Sequence, residues 1–397
     1  MENPLLFVKE FIQDKSVDWL DKAILACIHL CAFSIILSIV LAQLFAALII
    51  LLGVIDFIRN PNRTKTPFDI PLLLFIFVRI LSIIFSTDVA ASIRILHTEI
   101  PFYAIFYAVS QKRNIIQGKY IQSILYMFIA AAIIGTFYGA ISFLLGSIGR
   151  AASLTSGYYT FGTYLTASFA ITLLLGKSNI FEKKRVLWYI LTGIMTVGIL
   201  LTMNRIHWGI MAAVVIITGI LQERRLFAGM IIIFLILLIS FPTVRHRLDQ
   251  TIHFTEHLSD RDVIWKGASM IWLNHPVLGY GPNTFAEVFP IKNEFNDSKI
   301  GGWHNDYLQV FIESGILGLI TMMWLIITLF VKTYIFLKNN TGEKHLRKLT
   351  IALIASITTI LVSSLTGSAF SDLLIRMMFV LMMALLIVPL QYKKSIN

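Results

Sequence analysis

Four residues in this chain combine a type and a setting that could do chemistry. Arg205 stands in MNRIHWG with His207 and Trp208 beside it, Arg79 in IFVRILS with no acidic neighbour in sequence, Arg261 between Asp260 and Asp262, and His304 in GGWHNDYLQVF. A guanidinium is a rigid fork of donors that matches phosphate or carboxylate oxygens, so each arginine could hold an anion. Each also has a plain structural reading: a snorkelling anchor for Arg205, an undetermined buried partner for Arg79, and an interfacial salt bridge for Arg261. An imidazole with an ordinary pKa of about 6.5 can take a proton near neutral pH, although a lone His at the start of a helix can equally be structural.

The neighbouring motifs exclude other chemistries. GYGPNTF (Gly279 to Phe285) has the glycines and proline of a tight turn. It follows no strand and lacks the Lys-Ser/Thr pair of a phosphate loop, so an ATP site is not expected. Asp306 and Glu313, seven apart, share a helix face, yet no His has metal-ligand spacing beside them. No metal site follows. Cys27 and Cys31, four apart in the first apolar run, read as small packing residues rather than a zinc site or disulfide.

The elements that must position these residues are membrane spans. Of 397 residues, 57% are hydrophobic and 14% charged, with a mean hydropathy of +0.79. That is far outside what a soluble domain shows to water. Apolar runs of about 20 residues, enough to cross about 30 Å of hydrocarbon, recur from Ala23 to Leu390. Their centres fall near Ser34, Ile49, Phe77, Ala104, Ala132, Ser168, Gly193, Val214, Leu235, Leu319, Thr358 and Met382, which gives about twelve spans. The run from Ala23 to Ile58 is too long for one helix and is divided at Ala42 and Gln43 as a tight hairpin. The N-terminal MENPLLFVKEFIQDKSVDWLDK mixes acids and bases and does not read as a cleaved signal peptide.

Lys and Arg concentrate in alternate breaks: RNPNRTK, QKRN, KSNIFEKKR, QERR, the stretch Lys332 to Lys348, and the tail QYKKSIN. The positive-inside rule therefore puts both termini in the cytoplasm. Most of the formal charge of +11 is a topology signal, and no nucleic-acid partner is implied. The expected organisation is a cytoplasmic segment 1–22, spans over 23–243, an outward loop 244–305, spans over 306–390 and a cytoplasmic tail 391–397. The long loop holds most of the polar chemistry. Within it RDVIWKGASMIWLNHPVLG has the spacing of an amphipathic helix lying on the membrane surface, with Trp265 and Trp272 suited to the interface.

One ordered combination is specific: an Arg in a short outward turn, R-x-x-x-W before N-x-P-x-x-G-x-G-P-x-x-F, then H-N-x-Y-L and E-x-G-x-x-G on the next helix. It resembles the O-antigen ligase and polymerase family, most closely over Asn204 to Gly318. The resemblance implies an all-α polytopic inner-membrane protein, a GT-C-like glycosyltransferase whose site faces the periplasm. It implies transfer of a glycan from an undecaprenyl-diphosphate carrier to a sugar hydroxyl, with no nucleotide sugar, metal or other cofactor. By motif position Arg205, Arg261 and His304 are the catalytic residues, although the first Arg stands here in Asn204-Arg205-Ile206 and not in the usual Ser/Thr-Arg-Gly setting. Trp303, Asn305, Tyr307, Trp265 and His207 are the expected substrate contacts, Trp303 and Tyr307 either stacking on sugar rings or anchoring the helix in membrane lipid. The acceptor is the lipid A core for a ligase, or a carrier-linked glycan for a polymerase. The compact loop favours the ligase. A secondary transporter or flippase fits the span count, but would require broken helices and buried midplane charges in two matching halves, which the sequence does not display. A structural membrane protein would need no such ordered Arg, Arg and His. Arg205 must approach Arg261 and His304 for the reading to hold.

Overall fold

The structure is a computed structural model and describes residues 17–61, 63–176, 185–221, 224–252, 260–295 and 300–391. The basic breaks at 177–184 and 222–223, parts of the long loop and the tail beyond Gln391 lie outside them, as does most of the N-terminal segment. Among the described residues the secondary structure is helical throughout.

In chain order the described helices begin with α1 (Trp19–Ser34), α2 (Ile39–Arg59), α3 (Asp69–Ile84), the short α4 (Val89–Ile93), α5 (Leu96–Gln111), α6 (Lys119–Leu144), α7 (Tyr158–Leu175), α8 (Arg185–Leu201) and α9 (Arg205–Leu221). Next come α10 (Arg224–Ser240), α11 (Pro242–Ile252), α12 (Arg261–Ile271), α13 (Phe285–Val288), α14 (Asp306–Asn339), α15 (Lys344–Ser363) and α16 (Leu373–Leu390). Each of the twelve expected centres falls within a helix. Five helices, α2, α6, α14, α15 and α16, are long and apolar enough to cross a membrane by length and composition. The molecule is thus a polytopic helical membrane protein.

α7 is buried along nearly its whole length and packs against α15, α8, α9 and α6. It tolerates many hydroxyls because Thr163, Thr166 and Thr172 each donate back to a carbonyl one turn earlier, which satisfies these three donors in an apolar setting. Cys27 and Cys31 are buried thiols, and the Cys31 Sγ lies against the Ala42 carbonyl.

That contact corrects the expected hairpin. The chain turns at residues 35–38, and Ala42 lies inside α2, where its small side chain lets α1 and α2 approach. Ser38 caps α2 by accepting from the Leu41 N–H. A serine cap decided the boundary, and the polar Gln43 is simply an exposed helical residue.

Two irregular helices build the end of the bundle that carries the long loop. α10 and α11 are bent by 106° across Phe241, so the polar α11 folds back over the helix ends. α14 is unwound at Gly315, whose φ of 64° and ψ of −167° are not helical. The backbone groups this frees are taken up by residues 276–281: Ile316 N–H donates to the Pro276 carbonyl, while the Tyr280 and Gly281 N–H groups donate to the Ile312 and Glu313 carbonyls. GYGP is therefore a splint on a broken helix. The Ser82 Oγ ties in as well, donating to the Leu278 carbonyl.

The loop also has its own core. Ile264, Ala268 and Ile271 of α12 pack with Tyr280, Phe285, Phe289, Trp303 and Ile312. The apolar face of α12 is thus covered by protein rather than lipid, and α12 ends at Ile271 instead of running to Gly279. Trp265 and Trp272, on its outer side, are about half exposed.

Candidate active site

Arg205 is the first residue of α9, directly after the turn at 202–204, where Met203 has a φ of 52°. The Trp208 indole N–H donates to the Leu200 carbonyl and closes the turn from below. α11 clamps it from above. Arg247 donates from Nε to the Met203 carbonyl at 2.9 Å and from Nη1 to Gln250 Oε1 at 2.7 Å, while Arg205 Nη1 donates to the Gln250 carbonyl at 2.9 Å. Arg150, from the turn after α6, lies over the Tyr158 ring at 4.5 Å. Arg205 feels the positive charge of Arg261 and Arg150, and Arg247 that of Arg150, Arg205 and Arg261. Burial, then Arg150, Arg205 and Arg261, push the Arg247 guanidinium down to about 10.

His304 belongs to the same cluster. Trp303 is locked in the loop core, 1% exposed, edge-on to Phe285 at 4.9 Å. Asn305 caps α14, its side-chain oxygen accepting from the Tyr307 and Leu308 N–H groups. Held between these two, His304 takes a φ of 47°, in the left-handed region that few non-glycine residues adopt. Its ring is half-buried. Burial, and then the positive charge of Arg261, hold its pKa below the ordinary value.

The turn between α15 and α16 draws these parts together. Thr366 accepts from Arg261 Nη2 at 2.7 Å, Ser364 from the Asp306 N–H, Ser363 from the Tyr159 hydroxyl and Leu361 from the Tyr307 hydroxyl. Asp306 in return accepts from the Phe370 N–H at 3.0 Å. An anion at this end of the bundle would meet four cations and a neutral imidazole.

Of the three residues expected to meet, Arg261 is within electrostatic reach of both Arg205 and His304. The residues expected to contact substrate have the following places. Trp303 fills the loop core, Asn305 is a helix cap, and the Tyr307 hydroxyl is engaged with backbone. His207 is fully buried, paired with Thr163 Oγ1 at 3.0 Å beside the Tyr159 ring, and Trp265 stands on the outer face of α12. Arg150 and Arg247 escaped sequence reasoning, although one signal was available: both are cations in segments expected to face outward, where the topology rule disfavours them.

Residues 190–323 match the family model described as O-Antigen ligase. This segment is similar to the O-antigen ligase family. The match spans about a third of the chain and takes in Arg205, Arg247, Arg261 and His304, together with the splint and the break in α14. Members of this ligase family are glycosyltransferase-like membrane enzymes that act on lipid-linked glycans. Arg150 and the α15–α16 turn lie outside the matched segment. No curated protein matches the chain.

Proposed function

We propose that the protein is an O-antigen ligase, which moves a glycan from undecaprenyl diphosphate to a sugar hydroxyl of the lipid A core at the periplasmic face of the inner membrane, across twelve spans with both termini inside. The observation that carries this reading is the convergence of Arg205, Arg247 and Arg261 with His304 inside the segment that matches the ligase family. Breaking a sugar–diphosphate bond develops negative charge on the leaving diphosphate, and fixed cations aimed at developing charge contribute a large catalytic term. The arginines take that role. His304, kept neutral by its surroundings, accepts the proton of the acceptor hydroxyl as its oxygen attacks the anomeric carbon, and undecaprenyl diphosphate departs from the opposite face. A single displacement inverts the anomeric centre, and no step calls for a metal. The carrier's tail stays in the bilayer while its head reaches the cluster.

The polymerase reading shares every step but the acceptor. Purified protein reconstituted with carrier-linked glycan and lipid A core, in EDTA and without ATP, is expected to yield the coupled product. A deletion strain separates the two readings: accumulation of carrier-linked polymer supports the ligase, and single repeat units in its place assign a polymerase.

A further inference from the structure

A second polar site lies behind the α15–α16 turn, in a cavity of about 110 Å³ enclosed by α3, α5, α14 and α16. Its lining is graded by depth. Arg79, Glu99, Asp306, Gln309 and Arg376 crowd the end nearest the long loop, while Phe75, Phe102, Met322, Leu325, Phe379 and Met383 line the rest. The carboxylates there are satisfied. Arg79 is shared by Glu99 and Glu313, and Asp306 accepts from the backbone. Arg376 is satisfied only in part, its guanidinium lying over the Phe102 ring at 5.2 Å. It is 9% exposed, its Nη2 donates to the Ser371 carbonyl at 3.1 Å, and its Nε and Nη1 have no hydrogen-bond partner among the described residues. A buried charged donor left without an acceptor is costly, so the cavity calls for a ligand oxygen at that end. Below it the walls are apolar and would repel water.

We propose that this cavity binds a membrane glycerophospholipid from the outer leaflet, its phosphate or ester oxygens received by Arg376 and one acyl chain lying along the apolar walls. Three observations fix the occupant. Arg376 stands three residues into α16, about 5 Å below the helix start, so the one under-satisfied cation lies near the loop end of the helix. Phe75, Ile95 and Ile326 line the cavity and are also partly exposed, which gives it a mouth toward lipid. The polar end faces the loop and the apolar end the bilayer interior, the orientation of an outer-leaflet lipid. The site differs from the arginine cluster, since Arg150, Arg205, Arg247, Arg261 and His304 are not among the residues that line it.

The test uses the full-length protein, stripped of lipid in detergent and supplied with phosphatidylglycerol, with occupancy read by native mass spectrometry. One tightly retained lipid per chain is expected. Arg376→Gln should reduce occupancy about tenfold, roughly the worth of one hydrogen bond to a charged group, and Leu325→Trp should exclude the chain. Undecaprenyl phosphate and inorganic phosphate should fail to displace the lipid. On the unsubstituted protein, phosphatidylglycerol with a diazirine in mid-chain should label Phe75, Met322 or Met383, with the modified residue located by fragmentation of the labelled peptides. No retained lipid, occupancy unchanged in both variants, displacement by undecaprenyl phosphate, or label confined to lipid-facing residues such as Phe77 and Trp324 would each overturn the proposal.

Discussion

His304 carries the largest burden of any single residue, and its backbone dictates how it should be tested. At a φ of 47°, alanine adds strain to the loss of the imidazole, whereas asparagine tolerates the left-handed region. His304→Asn is expected to lower transfer by at least about 10²-fold, the scale of a general base, while the protein still inserts and melts normally. Transfer near the unsubstituted rate would remove the base from the mechanism. The pH profile gives a second reading. Burial and Arg261 both depress the His304 pKa, so the neutral, active form persists as pH falls and the acid limb of kcat/KM should lie below about 6.5. Arg261→Gln removes a neighbouring positive charge, raises the His304 pKa and should move the acid limb of the residual activity to higher pH. Because burial is the larger cause and remains, the limb should stay below the unperturbed value. A limb that does not move upward would separate Arg261 from the base.

At the level of elements, the break in α14 and its splint are the joint on which the site rests. A Cβ on Gly315 would collide with the Val277 carbonyl, and one on Gly279 would collide with the Ile312 and Glu313 backbone; both glycines also have positive φ. Gly279→Ala is therefore expected to lower the melting temperature by several degrees and reduce activity together, because the loop can no longer seat on α14. Arg79 ties the same joint to α3 and α5 through Glu313 and Glu99, all three being largely buried. Arg79→Met leaves two buried carboxylates without their cation and should cost about 3 to 5 kcal/mol of stability, read as a large loss of thermal midpoint or of inserted protein. An unchanged midpoint would show the pair to be dispensable. The broken helix with buried charges also bears on the transporter alternative, which the sequence had disfavoured for lacking such a feature. Here the freed backbone is filled by residues 276–281 of the same chain, so the break serves as a docking point for the loop.

For the whole molecule, orientation is the testable matter. A cysteine at Ser269, exposed on α12, should react with a membrane-impermeant maleimide from the periplasmic side, and one at Thr341, between α14 and α15, only after the membrane is opened. The reverse pattern would invert the topology and place the arginine cluster on the cytoplasmic face. The sequence by itself determined the class of the molecule, because hydropathy and the alternation of Lys and Arg are properties of composition along the chain. Through the family resemblance, the ordered motif also implied that Arg205, Arg261 and His304 belong together. Only the tertiary structure could decide the rest. Arg79 meets Glu313 across 234 residues and Arg261 meets Thr366 across 105, and no local periodicity reports on partners that distant. Trp303 and Asn305 looked like substrate contacts because an aromatic and an amide beside a candidate base suit a sugar. Packing gave the indole to the loop core and capping gave the amide to α14, since a buried helix start must satisfy its N–H groups before any ligand arrives.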